Sequence, residues 1–104
     1  MKLRQLGVDE IRALVDELRS MAELPAGVNP PALARAKEIR FQLQGQGITP
    51  TAVTRADEAY RQLEILFHAH RWRDEEPLES FRKRIKSSCD RLRAHLGLGD
   101  RPSV

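Results

Sequence analysis

Apolar positions recur every three or four residues in four separate stretches of this chain, and each stretch is bounded by residues that start or stop helices. In the first, Ile11, Leu14, Val15, Leu18, Met21 and Ala22 make one continuous stripe, which predicts a helix over 9–23. Asp9 is its expected cap, and Pro25-Ala26-Gly27 ends it. Asn29-Pro30 opens the second, predicted over 30–44: asparagine caps well, and proline at the first helical position loses no hydrogen bond. Ala32, Ala36, Ile39 and Leu43 form its stripe, with Leu33 beside it, and Gly45-Gln46-Gly47 supplies residues able to close it.

Thr49-Pro50 repeats the cap-then-proline signal and starts a third helix, predicted without a break over 50–71. Val53, Ala56, Tyr60, Leu63, Phe67 and His70 step along its seam, widened by Ala52, Ala59 and Leu66. The acids Asp74, Glu75 and Glu76 then precede Pro77, which suits the positive end of a fourth helix over 77–96. Leu78, Phe81, Ile85, Leu92 and Leu96 point inward there, with Ser88 or Cys89 filling the gap, and Gly97-Leu98 is a glycine stop. No stretch alternates with period two. The expectation is an all-α, compact four-helix bundle with antiparallel neighbours, one domain over 1–104, and 97–104 as a loose tail.

Charge adds an asymmetry that the pattern does not show. Of the 104 residues, 18 are Lys or Arg and 15 are Asp or Glu. Residues 1–66 hold nine of each sign, so the whole excess of +3 falls in 67–104. Arg82, Lys83, Arg84, Lys86, Arg91 and Arg93 stand against the single acid Asp90. On a helix, Arg82, Lys86 and Arg93 share one side, and Arg84 and Arg91 share another, so cations flank the apolar stripe on both sides. With Arg71, Trp72 and Arg73 just upstream they form a candidate nucleic-acid face: guanidinium groups for phosphates, an indole for stacking on a base. The competing reading is a solvated face whose long stems cover the core edge and whose charges meet Glu79 and the three upstream acids. Phe41 and Ile65 fall off their stripes and are candidate partner contacts.

Other chemistry finds little support. Asp16, Glu17, Asp57 and Glu58 lie opposite the stripes and read as solvated. His68 and His70 point about 200° apart on a helix and cannot share a metal, and His95 and Cys89 are also off-face, so neither a metal nor any other cofactor is expected. There is no phosphate loop and no nucleophile motif, so the chain reads as non-enzymatic. Gly45-Gln46-Gly47 invites a helix-turn-helix reading, but the flanking helices are too long unless the third breaks near Asp57. A lone cysteine and the absence of a long apolar run lead to the expectation of a cytoplasmic protein without membrane contact.

In size, helicity and an Arg-rich face (Arg71, Arg73, Arg82, Arg84, Arg91, Arg93) the chain resembles the small helical subunits of CRISPR effector complexes. That resemblance implies an RNA-binding accessory subunit of an antiviral ribonucleoprotein, with copies stacked beside other protein subunits and basic faces tracking nucleic-acid backbone. The residues themselves imply an accessory subunit holding RNA or DNA phosphates without strong sequence readout, and a homo-oligomer is compatible with them. Two alternatives stand beside it: a phage- or plasmid-encoded adaptor or inhibitor using the basic helix and exposed aromatics, and a plasmid or phage DNA-binding regulator.

Overall fold

The computed structural model describes residues 5–68 and 77–98. Four helices follow in order: α1 (Val8–Ser20), continued by one 3-10 turn over Met21–Glu23, then α2 (Pro30–Gln44), α3 (Pro50–Leu66) and α4 (Leu78–His95). Both cap-then-proline signals work as read. Asn29 accepts from the Ala32 N–H at 3.3 Å and Thr49 from the Ala52 N–H at 3.2 Å.

Three boundaries differ from expectation. Gly7 sits at the head of α1, its N–H held by Glu10 at 3.3 Å, and Asp9 bonds Arg12 instead of capping. The third helix stops at Leu66 rather than running on. The Gly27 N–H takes the Leu66 carbonyl at 2.9 Å, Phe67 forms a turn, and His68 is outside the helix. Gly27 sits at φ +123°, which L side chains rarely adopt, so that contact depends on glycine. At the other end, Gly97 (φ +74°) lets the Leu98 N–H reach the Arg93 carbonyl at 3.1 Å, and Leu98 packs against the core. Gly97 and Leu98, the first two residues of the expected tail, are thus tied to the end of α4, and residues 99–104 lie outside the described residues.

α1 packs on α2 and α4, and α3 packs on the same two helices, so the four make a square bundle. Side-chain pairs show the directions. From Asp16 to Arg19 to Glu23 along α1, the partners on α4 run backward, Arg93, Asp90, Lys86. Arg40 meets Asp57 and Gln44 meets the Val53 carbonyl between α2 and α3. Every neighbouring pair is antiparallel, as the short connections require.

The core is Leu14, Val15 and Leu18 of α1, Ala36, Ile39 and Leu43 of α2, Ala52, Ala56, Ala59, Leu63 and Leu66 of α3, and Phe81, Ile85, Cys89 and Leu92 of α4. The three fully buried alanines on α3 leave room for its neighbours to approach closely. Ile65, read as a candidate partner contact, is partly buried against this core. No helix of the described residues is long and apolar enough to cross a membrane.

Candidate nucleic-acid interface

α4 carries the six cations singled out above, and the fold sorts them into two sets. Arg82, Lys86 and Arg93 face α1. Arg82 donates from Nε to the Ala22 carbonyl at 2.8 Å and from a terminal nitrogen to the Leu24 carbonyl at 2.9 Å. It thereby satisfies carbonyls left open where the 3-10 turn after α1 ends. Its other terminal nitrogen holds Glu79 at 3.0 Å. Lys86 pairs with Glu23. Arg93 is 5% exposed and pairs with Asp16 at 3.0 Å. Between these rungs Arg19 pairs with Asp90 at 3.0 Å. The earlier placement of Arg82, Lys86 and Arg93 on a phosphate-binding face is therefore corrected. They staple α4 to α1 and are not presented to a ligand.

Lys83, Arg84 and Arg91 are exposed on the other side. Together with Ser80, Ser87 and Ala94, all exposed, they occupy about 100° of the helix, and no acid falls inside that arc. Asp90 borders the arc and is engaged by Arg19. Arg84 also leans over the Phe81 ring, 5.8 Å from its centre. Arg91 is 60% exposed at the side chain and reaches Glu58 of α3 only at 3.9 Å, a weak pair in water. Arg71, Trp72 and Arg73 lie outside the described residues.

On the α3 flank, Glu58 is shared. It pairs with Arg55 at 3.2 Å and accepts from the buried Ser88 hydroxyl at 3.0 Å; Ser88 Oγ also lies 2.8 Å from the Gln62 carboxamide. Asp57 takes Arg40 at 3.1 Å and Arg61 at 2.6 Å, and Arg40 stacks over Tyr60 with its guanidinium carbon 4.0 Å from the ring centre. Burial, then the nearby Glu64 carboxylate, raises the Tyr60 hydroxyl above its ordinary value. Glu17 receives a two-pronged contact from Arg35, 2.6 and 2.8 Å, and Arg35 also meets Glu38. The Arg35 hydrogen bonds hold the Glu17 carboxyl below its usual range. Asp16, Glu17, Asp57 and Glu58, read as merely solvated, are thus ties between helices. Complementary charges at matched helical spacing and in opposite order on α1 (Asp16, Arg19, Glu23) and α4 (Lys86, Asp90, Arg93) were the available signal.

Beside these, a shallow open groove of about 320 Å³ runs between α1 and α2, lined by Leu6, Glu10, Ala13, Leu14, Glu17, Arg35 and Gln42. It contains no thiol, hydroxyl or imidazole. Cys89 is fully buried, and burial pushes its thiol up to about 12. Among the described residues no three His, Cys, Asp or Glu side chains converge on a metal-sized site. α3 runs unbroken through Asp57 and lies antiparallel to α2, so the Gly45-Gln46-Gly47 turn joins a helical hairpin and not a helix-turn-helix. Phe41 is 62% exposed on α2. No protein-family model, curated protein or solved structure matches the chain.

Proposed function

We propose that this chain is a non-enzymatic accessory module that holds nucleic-acid backbone phosphates along the outer strip of α4. The observation that carries the reading is the sorting of charge on that helix. Arg82, Lys86 and Arg93 are drawn inward against α1, while Lys83, Arg84 and Arg91 are exposed together on an arc to which α4 itself contributes no acid. From Lys83 to Arg91 the strip measures about 12 Å along the axis, enough for two or three successive phosphates. No aromatic side chain stands on it, so it grips backbone and does not read bases. Membership of a ribonucleoprotein, as in the CRISPR small subunits, is one setting for such a module. Two of the arginines that carried that resemblance, Arg82 and Arg93, act inside the bundle, so the reading rests on the strip alone.

The test is binding to single- and double-stranded DNA and RNA by fluorescence anisotropy across a salt series. Three neutralised phosphates give a slope of log K on log salt of about −2.7 on duplex and about −2 on single strands. Lys83→Ala/Arg84→Ala/Arg91→Ala should abolish binding with the fold intact. No wild-type binding at low salt would overturn the proposal. A second reading, a protein-binding adaptor, is favoured by one observation, the solvent-facing Phe41 ring; there Phe41→Ala would abolish capture of a protein partner and leave the salt slope unchanged.

A further inference from the structure

Ser87 stands at the centre of the outer strip of α4. Lys83 lies one turn before it at i−4, Arg84 at i−3 and Arg91 one turn after at i+4, spacings that put Cβ atoms roughly 5–6 Å apart. All four residues are exposed. Helical serine and threonine hydroxyls commonly turn back onto the preceding turn, as Ser20 does onto the Glu17 carbonyl and Thr54 onto the Pro50 carbonyl. The Ser87 hydroxyl has no such partner among the described residues, so its proton is available to a ligand. Its small side chain also leaves a shallow point between three long cationic ones, where a tetrahedral anion can come close to the helix.

We infer that Ser87 is the central contact of the strip, its hydroxyl donating to an oxygen of the middle backbone phosphate, with Lys83 and Arg91 one turn to either side engaging that phosphate and its neighbours. The inference rests on the phosphate-strip reading and sharpens it to one residue and one ligand group.

The experiment measures anisotropy of a fluorescent duplex with wild type, Ser87→Ala, Ser87→Glu and the Lys83→Ala/Arg84→Ala/Arg91→Ala variant, each checked by circular dichroism. Ala34→Glu, an exposed position on α2, serves as the control for added charge. Ser87→Ala should weaken binding several-fold with the slope preserved. Ser87→Glu, whose carboxylate fills the site, should lower the slope magnitude by about one phosphate's share, ~0.9, and weaken binding more than Ala34→Glu does. If Ser87→Ala binds within twofold of wild type, or Ser87→Glu keeps the full slope, the Ser87 assignment is overturned while the strip stands. If the triple variant binds like wild type, the strip itself is wrong.

Discussion

Arg93 shows how a single residue can change role between sequence and structure. Its guanidinium is nearly closed off from water, Asp16 takes one terminal nitrogen, and its Nε finds no acceptor among the described residues. A buried cation so incompletely satisfied costs more to leave unpaired than to replace. Asp16→Ala should therefore destabilise the fold by about 1–2 kcal/mol, and Arg93→Met by less than about 1 kcal/mol. Urea titration at neutral pH ranks them, and the reverse order would refute the account. Glu17 supplies a pH test. Its folded-state carboxyl titrates below the unfolded one, so its contribution is present above the ordinary value of 4.5 and lost as pH falls through the lowered one. Stability between pH 6 and 3 should fall less in Glu17→Gln than in wild type, by an amount kept small by solvent exposure of the pair. Cys89, with its thiol pushed up to about 12, should react with a disulfide reagent at pH 8 only as fast as the protein opens.

Among elements, α3 and α4 decide most of the architecture. α3 presents Ala52, Ala56 and Ala59 to the interior with no exposed surface, so its neighbours sit close and leave no volume for a larger group. Ala56→Leu should cost about 1–3 kcal/mol by overpacking, read as a lower denaturation midpoint. α4 is held to α1 by three rungs; Arg19–Asp90 and Lys86–Glu23 are partly in water and worth roughly 0.2–1 kcal/mol each, while Arg93–Asp16 has its guanidinium buried. Their larger effect is on register: a one-residue slip would bring Arg19 away from Asp90 and spoil all three. Exchanging the middle rung, Arg19→Asp with Asp90→Arg, should recover most of the stability that either change alone removes, a result a double-mutant cycle measures directly.

At the scale of the molecule, nearly every described acid is tied to a neighbour, and most of those ties join different helices or successive turns of one. Among the described residues of α4, the exposed cations Lys83, Arg84 and Arg91 gather on the outer arc, to which that helix contributes no acid. Binding and folding should consequently respond differently to salt. Raising salt from 50 to 200 mM should weaken binding to duplex roughly forty-fold for three phosphate contacts, while thermal unfolding moves little, since the core is apolar and the ion pairs are individually weak. A melting temperature that fell as steeply as the affinity would show that the ion pairs, and not the core, hold the bundle.

Helix number, helix starts and the inward stripes were legible along the chain, because caps, prolines and a 3.6-residue period act over a few residues. Asn29-Pro30, Thr49-Pro50 and the row Ala36, Ile39, Leu43 are plain in the string itself. The two cation sets on α4 could also be separated by angle from sequence alone. Which of them would turn toward α1 could not, because that depends on a partner some seventy residues away and on the antiparallel register that brings Asp16, Arg19 and Glu23 alongside. The end of α3 at Leu66 had the same origin, a distant Gly27 N–H taking its carbonyl. Local periodicity determined the helices and their buried faces. Only the tertiary packing decided which charges remain available to a ligand, since an ion pair requires two side chains to meet in space.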